Sequence, residues 1–481
     1  MPFLIGGIIL AVLLVVLIAV VVIRTLAFKP RKVSYSERDE IDFNREKALT
    51  DLAEMIKVKT VSSRVKSEED DAEFDKFERL LAEKFPTVIK NSTFTKVGNR
   101  ALLYKIEGKS SENPTVFMAH YDVVSVNEND WTVDPFGAVI DDEYLWGRGT
   151  LDTKITLNGV MQSAEKLLSE GFKPQNDIYL AFAGDEEIAG TGASSIVDLF
   201  EQNGVKPALV VDEGGAVVEG VFPGVKKPCA LIGIAEKGMM DLSFEVHGAG
   251  GHASSPPPVT SIGKLSRAVV KMETKPFPFT ISEPASKMFD TLGRHSSFAL
   301  RMVFANLWLF KPVLNMITKK RGGELNALMR TTCAFTQMQG SKGANVLPPN
   351  AKMCANFRLI CGETVQNAIE RVKKTVNNDE IDIKLIQGQN PSRISVTEGE
   401  GWDKLTDAIA NTWQGALVSP YLMVACSDSR HYGRICDKVY RFSAMALSGY
   451  ERSLIHANDE RVPFDTIYKA VEFYIRLMRN C

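Results

Sequence analysis

Apolar and polar positions along most of the chain follow two patterns. Apolar runs within residues 115–124, 177–187 and 208–215 predict buried strands, whereas residues 155–172 and 193–204 carry apolar positions at helical spacing. Strands that alternate with helices indicate an α/β fold, in which helices cover both faces of one sheet.

The pattern changes near residue 232. From there to about residue 391 the predicted elements follow the order β-α-β-β-α-β, which is the split ferredoxin-like arrangement. An insertion at about 275–325 interrupts this unit and contains the apolar stretch 298–310. The α/β pattern then resumes. We therefore predict one α/β domain, residues 46–231 and 392–481, that is interrupted by a smaller α+β domain, residues 232–391.

The N-terminal segment is apolar throughout. Residues 3–23 form an uncharged run that, as a helix, is about 30 Å long, and this length is enough to cross a bilayer. A cleavable signal peptide is the alternative, but its apolar core is usually only about 7–15 residues long. We predict an uncleaved transmembrane helix, a charged juxtamembrane linker at residues 24–45, and hence a single-pass membrane protein.

The side of the membrane stays open at this stage. The positive-inside rule favours a cytosolic main domain, because four basic residues follow the span: Arg24, Lys29, Arg31 and Lys32. A long domain can be translocated regardless, and the sequon at residues 91–93 fits a lumenal position. A formal net charge of −2, without a basic stripe, indicates no nucleic-acid partner.

Polar side chains gather where the predicted strands end, and such ends meet at one edge of an open α/β sheet. The residues are His120, Asp122, Asp152, Glu186, Glu187, Asp212 and His456. Imidazole and carboxylate groups are good zinc ligands, and no cysteine cluster points to a structural site. The sequence therefore predicts a centre with two Zn²⁺ ions per chain.

The chain has three adjacent acids at Asp185, Glu186 and Glu187. Neighbouring carboxylates repel one another, so positive charge close to them is expected. Two Zn²⁺ ions supply the missing positive charge when Glu187 is a ligand together with two aspartates, Asp152 and Asp212. Glu186 then stays free to act as a general base beside the metals. Asp185 is expected to cap the helix that follows.

Seven motifs, in this order, carry a resemblance to a known family: HYD at 120–122, GRGTLDTK at 147–154, DEE at 185–187, DEGG at 212–215, GGHAS at 250–254, NVLPPNA at 345–351 and HANDE at 456–460. They resemble the aminoacylase/carboxypeptidase S family of dizinc metallopeptidases. Residues 288–310 and 428–432 are most similar to the carboxypeptidase S branch, and within it to the N-fatty-acyl-amino acid synthase/hydrolases.

This resemblance implies a mixed-sheet dizinc exopeptidase domain with a ferredoxin-like lid/dimerisation domain, and therefore a possible homodimer. It also favours a lumenal or extracellular catalytic domain. One zinc would be held by His120, Asp212 and the bridging Asp152, and the other by Asp152, Glu187 and His456. A cis peptide bond is expected between Asp152 and Thr153.

The resemblance implies further roles around the metals. Asp122 would accept the second N–H of His120, Glu186 would be the general base, and His252 of the smaller domain would stabilise the oxyanion. The implied substrate-binding residues are Asn345, Arg358 and Arg430.

The expected activity is zinc-dependent cleavage, and in the reverse direction formation, of the amide bond of N-fatty-acyl amino acids. The alternative is a carboxypeptidase S-like peptidase that removes C-terminal residues from short peptides. A non-enzymatic anchored binding module is a third reading, although no ligand or base is missing from the motifs. The apolar residues 304–310 either form a buried helix, line a groove for an acyl chain, or touch the bilayer beside the anchor.

Overall fold

A computed structural model describes residues 2–481. Its strands are β1 Ser92–Val97, β2 Ala101–Ile106, β3 Ser110–His120, β4 Val139–Ile140, β5 Tyr144–Trp146, β6 Asn176–Ala183, β7 Leu209–Val218, β8 Cys229–Glu236, β9 Gly238–His247, β10 Gly251–His252, β11 Thr332–Gln339, β12 Val346–Leu347, β13 Asn350–Leu359, β14 Asp382–Gln389, β15 Leu417–Met423, β16 Val439–Leu447 and β17 Arg461–Pro463.

The helices surround these strands. They are α1 Pro2–Ala27, α2 Arg45–Ile56, α3 Asp71–Lys84, α4 Pro86–Asn91, α5 Lys154–Ser169, α6 Gly192–Gln202, α7 Ser261–Thr274, α8 Glu283–Gly293, α9 Phe298–Ala305, α10 Leu307–Arg321, α11 Gly323–Ala327, α12 Val365–Val376, α13 Glu400–Thr412, α14 Gly449–Arg452 and α15 Phe464–Arg479.

The main sheet has eight strands in the order β1-β2-β6-β3-β7-β16-β8-β15. It is mixed, because β6, β3, β7 and β16 pair in parallel whereas β2 pairs with β6 in an antiparallel manner. Helices cover both faces: Leu180 and Phe182 of β6 belong to the core that contains α5 and α15, and Tyr179 and Ala181 pack towards α6. The predicted α/β fold with a mixed sheet is confirmed.

A four-stranded antiparallel sheet, in the order β11-β13-β9-β14, forms a second unit. Helices α7 and α12 share one apolar core with this sheet. The element order β9-α7-β11-β13-α12-β14 is the predicted one. The predicted boundary at residue 231 falls inside β8, because β8 stays in the main sheet up to Glu236.

The insertion forms helices α8 to α11 and packs on the main sheet. Met288, Phe289 and Leu292 of α8 are buried in one cluster with Leu231 of β8 and Leu422 of β15. This cluster covers the β8–β15 end of the sheet, so the insertion belongs spatially to the main domain although its sequence interrupts the second unit.

Helix α1 continues four residues beyond the predicted span and is long and apolar enough, by length and composition, to cross a membrane. Its side chains are exposed except near its C-terminal end, where Val21 and Thr25 are buried. The following residues 28–44 form no regular element and lie along the main domain. Ser36 N–H donates to Asp407 of α13 at 2.7 Å, and Asp39 pairs with Arg479 of α15 at 2.9 Å.

Candidate active site

The predicted site residues come from distant parts of the chain and meet at one edge of the main sheet. His120 is the last residue of β3, Glu186 and Glu187 follow β6 in a turn, and Asp152 precedes α5. His456 lies in the loop after α14, more than 260 residues beyond Glu187. Parallel β3 and β6 place their carboxyl ends together, which brings His120 beside Glu186 and Glu187. Asp152 and His456 reach the same place from loops.

Asp152 lies between the two histidines. One carboxylate oxygen, Oδ1, is 3.0 Å from Nε2 of His120, and the other, Oδ2, is 3.0 Å from Nε2 of His456. Glu187 Oε1 is 3.1 Å from the same His456 nitrogen. The peptide bond between Asp152 and Thr153 is cis, as the resemblance implied. Asp152 thus joins two groups of potential metal ligands.

The three adjacent acids have three different surroundings. Asp185 accepts the backbone N–H groups of Thr191 and Gly192 at 2.9 and 3.1 Å, so it caps the start of α6. Glu187 contacts His456. Glu186 belongs to neither ligand group but lines the same cavity as Glu187. One acid therefore caps a helix, one belongs to a group of candidate metal ligands, and one belongs to neither such group.

Asp122 is fully buried and organises this turn. Its carboxylate accepts the backbone N–H groups of Glu186 and Glu187, each at 3.1 Å, and the hydroxyl of Ser62 at 2.7 Å. Nδ1 of His120 is 3.0 Å from the Asp122 backbone carbonyl and 3.4 Å from its carboxylate. Asp122 therefore orients His120 mainly through its main chain, while its side chain fixes the two glutamates.

The structure places Glu213 where the sequence analysis placed Asp212. Glu213 Oε1 is 3.5 Å from Nε2 of His120, and Glu213 forms a ligand group with His120 and Asp152. Asp212 instead accepts the backbone N–H of Ser429 at 2.9 Å. Strand β7 runs through both acids, and successive side chains in a strand point to opposite faces. This geometry favours Glu213 over Asp212 as the candidate ligand beside His120.

Substituting the two neighbouring acids tests this assignment. Glu213→Gln is expected to lose one metal ion per chain and to lower kcat/KM more than about 100-fold, because even the loss of a residue behind a metal ligand costs about 10–100-fold. Asp212→Asn keeps an acceptor for Ser429 and is expected to cost less than about tenfold. Elemental analysis and hydrolysis rates measure both effects, and the opposite ranking would restore Asp212 as the ligand.

A buried ion pair that the sequence analysis missed holds two loops of the site together. Glu460 accepts the backbone N–H groups of Gly149 and Leu151 at 3.1 and 2.7 Å and pairs with Arg148. The Arg148 guanidinium also donates to the His456 carbonyl at 3.2 Å. Both side chains are buried, so the loss of either one would leave the charge of the other buried without a partner. The sequence held a signal for this pair, because the GRGTLDTK motif contains the basic Arg148 and the HANDE motif contains the acidic Glu460.

The charges of the site raise the pKa of both histidines. Hydrogen bonds that His456 donates to the carboxylates of Asp152 and Glu187 raise its pKa to about 10. Burial lowers the pKa of His120, but the neighbouring Glu213 and other carboxylates raise it well above its usual value. Burial raises the pKa of Glu213 to about 8. Carboxylates outnumber cations here, and a site of this kind favours metal ions.

His252 and Asn345 lie next to each other on the second unit. Strand β10 pairs His252 with Val346, and the N–H of Ala253 donates to the Asn345 carbonyl at 3.0 Å. Both side chains are exposed, and the hydrogen bonds found in residues 2–481 do not join either of them to the carboxylate cluster. The structure thus brings the pair together, but not to the metal ligands.

The two predicted substrate arginines differ in their surroundings. Arg358 is half-buried on β13 and donates to the sulfur of Cys426 at 3.3 Å, and Cys426 lines the cavity beside the carboxylates. Arg430 is buried, donates to the carbonyl of Ser427 at 2.7 Å and lies 3.9 Å from Asp428. Arg358 therefore reaches the edge of the cavity, whereas Arg430 makes its contacts within its own loop, and its substrate role stays a prediction.

A cavity of about 640 Å³ opens beside the cluster. Asp152, Glu186, Glu187, Glu213 and His456 line one part of it. Most of the remaining wall is apolar and comes from β7, β8, β15 and β16, with Ala216, Val218, Leu231, Met423, Met445 and Leu447. Its size and its few convergent polar groups are typical of small-molecule sites.

An α/β sheet with histidines and carboxylates at one edge, interrupted by a small α+β unit, is the arrangement of a metallopeptidase. The chain belongs to the peptidase family M20/M25/M40, whose model matches residues 116–480. The family predicted from the motifs is confirmed.

Known relatives match nearly the whole chain. It is 36% identical over 480 residues to N-fatty-acyl-amino acid synthase/hydrolase PM20D1 of Xenopus tropicalis, and the alignment covers 97% of this chain and 93% of that protein. It is 35% identical over 482 residues to probable carboxypeptidase S-like 2 of Dictyostelium discoideum, with 97% and 92% covered. The crystal structure of the metallo-carboxypeptidase Sso-CP2 from Sulfolobus solfataricus shares the fold, with a TM-score of 0.65, 18% identity and coverage of 90% and 98%.

Proposed function

We propose that the protein is a zinc-dependent amidohydrolase that cleaves, and in reverse forms, the amide bond of N-fatty-acyl amino acids. The observation that carries this proposal is the position of Asp152, whose two carboxylate oxygens each face a histidine beside an apolar cavity. The relatives named as N-fatty-acyl-amino acid synthase/hydrolases support the substrate class.

Two zinc ions are the proposed cofactors. One set of ligands is His120, Asp152 and Glu213, and the other is Asp152, Glu187 and His456. Within each set the ligand atoms lie within 4.8 Å of one another, and zinc prefers such imidazole nitrogens and carboxylate oxygens. Zinc bound there would supply a Lewis acid for the amide carbonyl and lower the pKa of water.

Glu186 is the proposed general base. Its carboxyl is free of both ligand sets, and it lies directly beside Glu187, so it can reach a water molecule at the metal position. It would take a proton from that water and give it to the leaving amine nitrogen. The same transfer in reverse serves amide formation, because a catalyst accelerates both directions of an equilibrium.

The substrate is proposed to lie along the cavity with its acyl chain against the apolar wall. Arg358, at the edge of the cavity, is suited to bind the amino-acid carboxylate in a bidentate manner. His252 and Asn345 would reach the substrate when the second unit closes as a lid, and His252 would then stabilise the oxyanion. The exposed Val270 and Ile386 of this unit support its proposed role in a homodimer.

We also propose that α1 is a membrane anchor rather than a removed signal segment. The buried Val21 and Thr25 support this, because the C-terminal end of α1 packs on α9 of the insertion. The guanidinium of Arg24 donates to the carbonyl of Ala305 at 3.1 Å. A segment that is cleaved from the mature protein has no need of such contacts.

A comparison of substrates tests the proposed activity. The purified protein is expected to hold about two zinc ions per chain and to lose hydrolysis on chelation, with recovery when zinc but not magnesium is returned. N-oleoyl-phenylalanine is expected to give a kcat/KM at least about 100-fold above that of N-acetyl-phenylalanine, since each buried methylene contributes about 0.8 kcal/mol.

The relatives named carboxypeptidase S favour a second candidate, a peptidase that removes C-terminal residues from short peptides. An N-blocked dipeptide distinguishes the two. Turnover of the dipeptide without turnover of N-oleoyl-phenylalanine would establish the peptidase and contradict the first proposal. Metal-free protein without activity on either amide would contradict both.

A further inference from the structure

Helix α10 turns apolar side chains outwards. Trp308, Val313, Met316 and Ile317 are exposed by 56%, 45%, 65% and 38%, and we call these four residues the α10 outer face. At helical spacing they cover about half of the circumference of the helix. Thr318, on the opposite side, is buried. A helix on the surface of a soluble domain has the reverse pattern, so this face has the character of an interaction surface.

The start of α10 is fixed to the end of α1. The side-chain amide of Asn306, the residue before α10, donates to the carbonyl of Val21 and to the hydroxyl of Thr25, each at 3.3 Å. The guanidinium of Arg24 binds the carbonyl of Ala305. With α1 as the proposed anchor, these contacts place the start of α10 beside the C-terminal end of the span.

The charges around the α10 outer face fit a lipid surface. Residues 307–321 contain no acid and four basic side chains: Lys311, Lys319, Lys320 and Arg321. Exposed Lys29 and Lys32 follow α1 in the chain. Tryptophan is enriched where membranes meet water, and basic residues beside an apolar face attract anionic headgroups. The occupant that this combination fits is an anionic bilayer.

The apolar interior connects α10 with the cavity. Leu307 of α10 and Leu325 of α11 pack against the cluster that contains Val218 and Leu231, and these two residues also line the cavity. Helix α11 follows α10 after one residue and contributes Ala327 to the cavity wall. Apolar side chains therefore continue from the inner side of α10, opposite its outer face, to the cavity beside the carboxylate cluster.

We propose that the α10 outer face lies in the headgroup region of the bilayer and that acyl substrates enter the cavity from the membrane beside it. The second part rests on the proposed function, because it needs a substrate with a fatty acyl chain. The first part does not, since it depends only on α1, α10 and the charges around them.

Fluorescence quenching tests the contact with the bilayer. The full chain is reconstituted in vesicles of phosphatidylcholine and phosphatidylserine whose acyl chains carry bromine near the headgroup. Bromine is expected to quench Trp308, and Trp308→Phe is expected to remove most of this quenching. The other four tryptophans lie in the main domain, where Trp131 and Trp413 are buried and Trp146 and Trp402 are half-buried. Equal quenching of the Trp308→Phe protein and the unmodified protein would overturn the proposal.

Hydrolysis by the protein reconstituted in the same vesicles tests whether substrates enter from the membrane. Met316→Asp places a charge on the α10 outer face and is expected to lower kcat/KM for N-oleoyl-phenylalanine held in the vesicles by about tenfold. Hydrolysis of water-soluble N-acetyl-phenylalanine should stay unchanged. Phe94→Asp is the matched control, because Phe94 is 40% exposed on β1, the edge strand of the main sheet opposite the β8–β15 end that the insertion covers, and it should alter neither rate.

The outcomes separate this proposal from the proposed function. An equal loss on both substrates, or no loss on either, would overturn entry from the membrane. If the unmodified protein hydrolyses neither substrate, the proposed function and the entry route fall together, while quenching still decides the contact of α10. If Trp308 is not quenched and Met316→Asp dissociates a dimer, the α10 outer face binds a second copy and the bilayer assignment is overturned.

Discussion

Replacing Glu186 with glutamine is expected to lower kcat by about 10²–10⁴-fold, the range that a positioned general base contributes. Glutamine has nearly the same shape but cannot take a proton from water. Glu186 belongs to neither ligand set, and its backbone N–H still donates to Asp122, so the substitution leaves the scaffold in place. The measurement is kcat on N-oleoyl-phenylalanine together with zinc content, which should stay at about two per chain.

Asp185→Asn is the matched control for this substitution. Asp185 lies next to Glu186 but accepts the N–H groups of Thr191 and Gly192, and asparagine retains one acceptor oxygen for them. Its kcat is expected to change by less than about threefold, with only a small loss of stability from the weakened cap. If Glu186→Gln keeps full activity, Glu186 is not the base.

Replacing Asp152 with asparagine is expected to remove both metal ions and to lower activity by more than about 10⁴-fold, because metal activation and proton transfer are lost together. Each of its carboxylate oxygens faces a different histidine, and an amide offers only one acceptor oxygen. The loop itself is held by Glu460 through the backbone of Gly149 and Leu151, so the protein should remain folded.

His456→Ala provides the comparison for Asp152. His456 belongs to one ligand set, whereas Asp152 belongs to both. Elemental analysis should therefore find about one zinc per chain in His456→Ala and almost none in Asp152→Asn. Circular dichroism confirms that both proteins are folded. Two zinc ions in Asp152→Asn would show that Asp152 does not join the two sets.

The choice between Asp212 and Glu213 shows where a sequence pattern reaches its limit. Apolar residues precede both acids in β7 and follow them, because helices cover both faces of the sheet and both faces are apolar. The alternation of polar and apolar residues that normally marks the inward face is therefore missing. Only the pairing of β7 with β3 and β16 decides that Glu213 faces His120 and that Asp212 faces Ser429.

The insertion shows the same limit on a larger scale. Its apolar stretch left three interpretations open, and the structure buries one part of the stretch and exposes another. Phe304 and Ala305 are buried beside α8 and α1, whereas Trp308 is exposed on α10. A sequence gives the composition of a helix, but which side of it is covered depends on neighbours such as α1 that lie far away in the chain.

By itself, the sequence determined the α/β alternation, the β-α-β-β-α-β order of the second unit, the apolar N-terminal segment, and the candidate ligands His120, Asp152, Glu187 and His456. These depend on local periodicity, on the rule that parallel strands end at one edge, and on the motifs that carry the family resemblance. The tertiary structure decided the side of β7 that faces the cluster, the ion pair between Arg148 and Glu460, and the packing of α1 on the insertion. Each of these is a contact between residues distant in sequence, and no local pattern of the chain specifies it.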